Sequence, residues 1–249
     1  MNRTVIRALT ILNLISKRRD GITLKEISET LEIPKSSSFD IVQTMLSEKL
    51  IETNKYNDKM YVLGSKAFCI GIKYINKSNL LKISKKHLDK LADELAMTGF
   101  VAEIDDTEVI YIYKHEGISN KLASAHIGYR GEVYYTSLGK AILAYLPKSM
   151  QEEIIDKIDF KIMTKQTKKN KTELKLDLEK ITTLGYSIDD RESEEYRICF
   201  GAPVFDKFGN VIAAVSVSDL YNRDKNYTNI GNKIKFIADE ITEELKHIN

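Results

Sequence analysis

Apolar residues recur every three or four positions in the first fifty residues, in three separate runs. This spacing predicts three helices, each of which buries one stripe. The first stripe comprises Val5, Leu9, Leu12 and Ile15, the second Leu24, Ile27 and Leu31, and the third Ile41, Val42, Met45 and Leu46. Thr23 and Glu26 have the spacing of a capping box at the start of the second helix, and Ile33-Pro34 forms the turn before the third.

Polar residues occupy the other side of the third helix. They are Ser36, Ser37, Asp40, Gln43, Thr44 and Ser47. Two short strands are predicted next, at about 51–54 and 60–63, with a turn at Asn57-Asp58. Helix, helix, turn, helix and hairpin is the order of a winged helix-turn-helix, whose second motif helix lies in a DNA major groove. The serines at the start of this helix have a second interpretation, since serine often only caps a helix.

The pattern changes after residue 64. A linker helix is predicted from Ser65 to Lys77, with Phe68, Ile72 and Ile75 on one stripe, and a longer helix at about 81–97. Strands are predicted at about 100–104, 109–114, 121–126, 186–190, 198–204 and 211–217. Further helices are predicted at about 137–146, from a capping box at Ser149 and Glu152, at about 172–184 and near the end of the chain. Strands joined by tight hairpins and flanked by helices predict an α+β domain around an antiparallel sheet.

Charge is distributed unevenly along the 249 residues, although the net charge is only +2. Residues 1–60 carry +2, residues 61–90 carry +6 and residues 91–249 carry −6. A basic first third indicates a polyanion partner. A solvated, lysine-rich helix face is the alternative explanation of the same charges, and it also suits the lysine-rich loop at 161–171.

The cysteines and histidines give no sign of a metal site or a cofactor. Cys69 and Cys199 form neither a CxxC motif nor a disulfide framework, which suits a reducing cytoplasm. The four histidines lack metal-ligand spacing. An enzyme would need Cys199 as a nucleophile beside His115 or His126, but no catalytic signature surrounds this cysteine, and we expect no enzymatic activity.

Four segments carry a family resemblance: "IPKSSSFDIVQTML", "MYVLGSKAFCIG", "GYRGEVYYTSLGKAILAYL" and "GYSIDDRESEEYRICFGAPVFDKFGNVIAAVSVS". Through them nearly the whole chain resembles the isocitrate lyase regulator (IclR) family of bacterial transcription factors. The resemblance implies a winged helix-turn-helix DNA-binding domain over 1–64, a linker helix over 65–79 and a GAF-like effector-binding domain over 80–249. It also implies a dimer or tetramer, operator DNA as one partner and a small effector, often an organic acid, as another.

The DNA contacts implied by this resemblance are Lys35, Ser36, Ser37, Asp40, Gln43, Thr44, Lys55 and Lys59, with Arg3 or Arg7 as weaker candidates. Gln43 suits adenine and Asp40 suits a cytosine amine. The family often has threonine and arginine where this chain has Ser37 and Asp40. Asp40 therefore either sets a sequence preference or weakens DNA binding. A winged helix that contacts protein, in a small-ligand-binding adaptor, is the alternative.

The effector site implied by the resemblance comprises Gly128, Ser137, Leu138, Asp189, Cys199, Ser216 and Ser218. Strand alternation gives independent support, because Ala214, Ser216 and Ser218 share one face of their strand. The amides at the start of the helix at Ser137 and the charge of Arg130 favour an anionic ligand. The chain departs from the family at Glu132 and Tyr134, and also at Arg191 and Tyr196, where a bulky tyrosine would narrow the pocket.

Overall fold

The structure is a computed structural model that describes residues 1–117 and 125–248. The chain divides into two compact units, Met1–Lys77 and Ser78–Asn249. Within the two described ranges, no helix is both long enough and apolar enough to cross a membrane.

The first unit is a winged helix-turn-helix. Its elements are α1 (Arg3–Ser16), β1 (Ile22–Thr23), α2 (Leu24–Thr30), α3 (Lys35–Ser47), β2 (Ile51–Asn54), β3 (Asn57–Leu63) and α4 (Ser65–Lys77). The three strands pair in the order β1-β3-β2, and both pairings are antiparallel. A core made largely of isoleucines joins α1, α2 and α3 to this small sheet.

Several local predictions for this unit are confirmed and others are wrong. The capping box of Thr23 and Glu26 is present. Residues Val5 and Leu9 of α1, however, are 54% and 62% exposed, because α1 turns its other side, with Ile11, to the core. The predicted turn at Asn57-Asp58 is also misplaced, because β3 already begins at Asn57 and the turn lies at residues 55–56.

The second unit is built on an antiparallel sheet of six strands. Its strands are β4 (Thr98–Asp105), β5 (Glu108–Glu116), β6 (Arg130–Glu132), β7 (Ser187–Asp190), β8 (Arg197–Phe205) and β9 (Val211–Leu220), in the order β6-β5-β4-β9-β8-β7. Its helices are α5 (Asn79–Leu95), α6 (Ser137–Leu143), α7 (Lys148–Lys157), α8 (Lys171–Leu184) and α9 (Ile230–Lys246). The predicted α+β architecture is confirmed.

Helices cover both faces of this sheet. Phe100 and Ala214 pack with α6, α7 and α8 in one apolar cluster. The neighbouring Gly99 points the other way along β4, where an added Cβ would lie 2.9 Å from Leu88 of α5. Helix α9 covers the same side as α5. The Phe205 amide of β8 donates to the Thr242 hydroxyl of α9 at 3.1 Å.

Helix ends and short strands account for the errors in this unit. Helix α6 ends at Leu143, earlier than the predicted residue 146. Helix α7 begins at Lys148 with Pro147 as its N-cap, so Ser149 lies inside the helix and caps nothing. Strands β1 and β6 were not predicted, and both are very short. Of the predicted strand 121–126, residues 121–124 lie outside the described residues.

Candidate functional site

Helix α3 begins without a serine cap. Its N-cap is Pro34, and no side chain forms a capping hydrogen bond there. Ser36 is exposed and Ser37 half-buried, whereas Ser38 is buried and its hydroxyl has no hydrogen-bond partner within the described residues. The interpretation of the three serines as a simple cap is therefore wrong for this helix.

The outer face of α3 is polar and open. Lys35, Asp40, Gln43 and Thr44 are all exposed, on the side away from the core residues of the helix. The Thr44 hydroxyl donates to the Asp40 carbonyl oxygen at 2.9 Å, which leaves its own oxygen to accept. These four side chains of one helix thus present hydrogen-bond donors and acceptors to whatever lies against it.

Two further exposed groups were missed by the sequence analysis. Phe39 flanks the polar face of α3 and is 48% exposed. Tyr56 lies at the turn between β2 and β3 and is 98% exposed, between the predicted contacts Lys55 and Lys59, which are exposed as well. Their exposure could have been predicted from the sequence, because an aromatic side chain at either position has no core to pack into.

A cavity lies on the α6 side of the six-stranded sheet, with an empty volume of about 480 Å³ when the open solvent at its mouth is included. Its lining combines aromatic rings, hydroxyls, carboxylates and one guanidinium among the described residues. The lining residues are Phe100, Tyr111, Ala125, Tyr129, Tyr135, Thr136, Ser137, Asp189, Ser193, Glu194, Arg197, Cys199, Ser216 and Ser218.

Arg197 brings a buried positive charge to the cavity wall. Arg197 as a whole is only 9% exposed. Nε and Nη2 both donate to Oε2 of Glu194, at 3.0 and 2.9 Å, and Nη1 donates to the Ser218 hydroxyl at 3.3 Å. A guanidinium in this position can bind a planar anionic group such as a carboxylate.

Asp189 is a buried carboxylate on the same wall. Its Oδ1 accepts from the amides of Glu192 and Ser193 at 2.7 and 3.2 Å, and its Oδ2 accepts from the Ser193 hydroxyl at 2.5 Å. Burial nevertheless raises the pKa of Asp189 above its usual value. A ligand hydroxyl that donated to this carboxylate would relieve part of that cost.

Small polar groups from three elements complete the cavity. Ser216 and Ser218 of β9 lie on one strand face, opposite Phe100 and Cys199 in the sheet register. The Cys199 thiol donates to the Ser218 hydroxyl at 3.2 Å, and burial raises the pKa of this thiol far above its usual range. Ser137 of α6 approaches because Gly201 leaves room: an added Cβ there would lie 2.8 Å from the Ser137 carbonyl oxygen.

Aromatic rings form the apolar part of the wall. Phe100 and Tyr111 meet edge to face with ring centroids 5.2 Å apart, and Tyr111 and Tyr129 do so at 5.4 Å. Burial raises the pKa of all the cavity tyrosines, that of Tyr135 to about 12. These hydroxyls are therefore protonated and can donate hydrogen bonds to a ligand.

The cavity brings together five of the seven residues that the resemblance implied. They are Ser137, Asp189, Cys199, Ser216 and Ser218. Leu138 does not line the cavity, because its side chain packs in the apolar cluster beneath α6. Gly128 lies outside the lining as well, but its φ of +85° allows the turn that brings Tyr129 to the cavity.

The departures from the family pattern lie outside the cavity. Tyr196 is 57% exposed, so its bulk does not narrow the pocket. The Arg191 guanidinium stacks over the ring of Tyr221, with 4.0 Å from Cζ to the centroid. The suggestion that Arg130 attracts an anion is not supported by its position, because Arg130 pairs with Asp105 and Glu108, each at 2.6 Å.

Arg197 is the most informative residue that the sequence analysis missed. Its signal was present, because Arg197 precedes Cys199 by two positions and therefore shares its strand face. Glu194 and Ser193 were harder to find, since they lie in the irregular segment between β7 and β8. Tyr111 and Tyr135 look like ordinary core residues in sequence.

Comparison with known proteins identifies the family. Residues 4–55 match the IclR helix-turn-helix domain, and residues 72–243 match the C-terminal domain of the bacterial transcriptional regulator IclR. The HTH-type transcriptional regulator KdgR of Dickeya chrysanthemi is 30% identical over 216 residues, which cover 86% of this chain and 70% of that protein. A regulator of the same type from Haemophilus influenzae is 30% identical over 260 residues, covering 100% and 94%.

Solved structures agree with this assignment. IclR of Thermotoga maritima superposes with a TM-score of 0.76 at 29% identity, over 98% of this chain and 99% of that one. An IclR homologue of Microbacterium hydrocarbonoxydans, solved with 4-hydroxybenzoate, shares the fold with a TM-score of 0.84 at 18% identity, over 98% and 100%. This chain therefore belongs to the IclR family of DNA-binding transcriptional regulators with a C-terminal effector-binding domain.

Proposed function

We propose that this regulator binds a small organic acid in the cavity lined by Arg197, and that binding changes its affinity for operator DNA. Arg197 is the observation that carries the proposal, because its guanidinium is buried and lines the cavity. An arginine in such a place forms charge-assisted hydrogen bonds with a ligand carboxylate and fixes its orientation.

The remaining wall narrows the class of acid. Asp189 accepts hydrogen bonds, so it favours an acid that also carries a hydroxyl. Ser137, Ser216 and Ser218 supply further polar contacts, and the aromatic rings suit a flat carbon skeleton. The Microbacterium hydrocarbonoxydans homologue was solved with 4-hydroxybenzoate, an aromatic acid of this kind.

Calorimetric titration tests this effector class. The ligands are 4-hydroxybenzoate, a set of aliphatic hydroxy acids and the neutral amide of each. We expect at least one acid to bind and its amide to bind more weakly. Arg197→Gln should lower the affinity for the acid by about ten- to hundredfold, because the lost hydrogen bonds to a charged group are worth roughly 1.5–3 kcal/mol.

Arg191→Gln is the matched control for this substitution. Arg191 lies in the same segment of the chain, but it stacks on Tyr221 and pairs with Asp190 outside the cavity lining. The control should leave the affinity unchanged. Equal affinities for acids and amides, or equal losses of affinity in the two arginine variants, would contradict the binding of a ligand carboxylate by Arg197.

The DNA interface is the second part of the proposal. We assign it to the exposed face of α3, with Lys35, Ser36, Ser37, Asp40, Gln43 and Thr44, and to Lys55 and Lys59 of the wing. The exposure of all these residues except the half-buried Ser37 supports the assignment. Gln43 would pair with adenine and Asp40 would accept from a cytosine amine, while the lysines meet phosphates.

Binding to the DNA upstream of the regulator's own gene, titrated with salt, tests this interface. An unrelated duplex of equal length is the control. We expect binding at least about a thousandfold tighter than to the control. Gln43→Ala and Asp40→Ala should each relax the preference at one base pair by about 1–3 kcal/mol, whereas Lys55→Ala should weaken both duplexes and lower the salt slope by about one.

Equal and weak binding to both duplexes would favour the alternative, an adaptor whose winged helix contacts protein. Tighter binding of Asp40→Ala to every sequence would show that Asp40 only repels phosphates. The same titration at saturation gives the number of chains bound to each operator.

We expect two chains, or a multiple of two, on each operator. Helix α4 buries none of its residues, and Phe68, Ile70 and Tyr74 are at least 57% exposed. Self-association would cover these apolar side chains. One chain per operator at saturation would contradict this part of the proposal.

An effector acts on this assembly only through a difference in affinity between two arrangements of the protein. We propose that the acid favours one arrangement of the effector-binding domains, which changes the spacing of the α3 helices on the DNA. The regulator would act in the cytoplasm, where its DNA partner and metabolic acids are both present.

A further inference from the structure

The segment between β7 and β8 contributes to the cavity wall and supplies Arg197 with a carboxylate of the protein's own. Glu194 lies three residues before Arg197 in the irregular segment between β7 and β8, and its carbonyl oxygen accepts the Arg197 amide at 3.1 Å. Its carboxylate lines the cavity and receives Nε and Nη2 of Arg197. A carboxylate therefore already occupies the place that the effector would need.

The Arg197–Glu194 pair does not use the bidentate geometry of a guanidinium and a carboxylate. Both N–H groups of Arg197 converge on the same oxygen, Oε2 of Glu194. A separate carboxylate could place one oxygen on each N–H group, which is the stronger, bidentate arrangement. The Glu194 side chain is also 32% exposed, against 10% for Arg197, so Glu194 lies closer to water than its partner does.

The neighbouring residues fix one end of the segment. The Thr164 hydroxyl donates to the Arg191 carbonyl oxygen at 2.6 Å, and the Thr167 hydroxyl donates to the Glu192 carbonyl oxygen at 2.7 Å. The Glu192 carboxylate is held by Lys140. Together with the two hydrogen bonds from Ser193 to Asp189, these contacts hold the segment up to Ser193, and Glu194 is the next residue in the cavity wall.

We propose that Glu194 is an internal stand-in for the effector carboxylate, which the effector must displace from Arg197. This inference rests on the proposed role of Arg197 as a carboxylate seat. Glu194 then sets the affinity of the site, because a ligand must compete with a carboxylate tethered three residues away. Acids that gain contacts with Asp189 and the serines displace it, and simple acids do so poorly.

Acetate is a suitable probe, since it offers a carboxylate and almost nothing else. The experiment follows the Arg197 Nε–H signal by ¹⁵N-edited NMR while acetate is added to the full-length protein, with Arg197→Gln used to assign the signal. In Glu194→Gln the competing charge is gone, so acetate should bind about fivefold tighter than in the wild type.

Glu195→Gln is the matched control. It removes the same charge from the next position, but Glu195 is exposed and does not line the cavity. It should leave the acetate affinity at the wild-type value. Equal affinities for the wild type and Glu194→Gln would overturn the stand-in role and leave Arg197 as a seat. An Arg197 signal that acetate moves in none of the proteins would also overturn the stand-in role, whereas the calorimetric comparison of Arg197→Gln with Arg191→Gln decides separately whether Arg197 binds the effector.

Discussion

Two buried cations of the effector-binding unit have opposite surroundings. Lys140 of α6 is fully buried, and its Nζ donates to Asp177 at 2.8 Å, to the Ile188 carbonyl oxygen at 2.7 Å and to Glu192 at 2.5 Å. Arg197 lines a cavity, donates to the partly exposed carboxylate of Glu194 and reaches Ser218 at a longer distance.

This difference distinguishes a cation that stabilises the fold, Lys140, from one that can bind a ligand, Arg197. An ammonium has three donors, and all three donors of Lys140 have acceptors within the protein, so this lysine has nothing left to offer a ligand. Burial alone would lower the pKa of Lys140, but Glu192 and Asp177 outweigh it and raise that pKa. Arg197 presents a planar group to the cavity, and its partner Glu194 is partly exposed.

Lys140→Met gives the largest effect expected from this comparison. The substitution leaves the Glu192 carboxylate buried without its main cation, and breaking a buried pair in this way costs about 3–5 kcal/mol of unfolding free energy. Urea unfolding of the full chain, followed by circular dichroism, measures the loss.

Lys168→Met is the matched control, because Lys168 approaches the same two carboxylates, at 3.2 and 3.8 Å, from a side chain that is 23% exposed. It should cost no more than about 1 kcal/mol. Arg197→Met should cost less than Lys140→Met, since its partner Glu194 is partly exposed whereas Glu192 is buried. Equal losses for Lys140→Met and Arg197→Met would remove the distinction between a structural and an exchangeable cation.

Periodic stripes and turn chemistry made most of the fold predictable. The α4 helix and the capping box at Thr23 could be located because local sequence decides them. The buried side of α1 could not, because its apolar residues surround the helix and tertiary packing chooses Ile11 over Leu9. Very short strands such as β6 depend on a partner strand and carry no periodic signal of their own.

The cavity was predictable only in part, for a related reason. Alternation on β9 placed Ser216 and Ser218 together, and the same rule applied to β8 would have added Arg197. Glu194 could not be found in this way, because its position depends on a turn back to Arg197 in a segment without regular structure. Leu138, conversely, lies next to a cavity residue in sequence, but the helix directs it into the core.

The smallest expected effect is on the reactivity of the Cys199 thiol, which lines the same cavity as Arg197. Burial raises the pKa of Cys199, so little thiolate forms at neutral pH, whereas Cys69 is exposed. We expect a disulfide reagent to modify Cys69 at least about tenfold faster, since one pKa unit lowers the thiolate fraction tenfold.

With Cys69→Ser, the remaining slow reaction reports on the cavity, because Cys199 and Arg197 both donate to Ser218. A bound acid should slow it further, and Lys168→Met should leave it unchanged. Rapid reaction of Cys199 with the disulfide reagent at neutral pH would contradict the buried thiol and would favour a catalytic cysteine over a ligand-binding one.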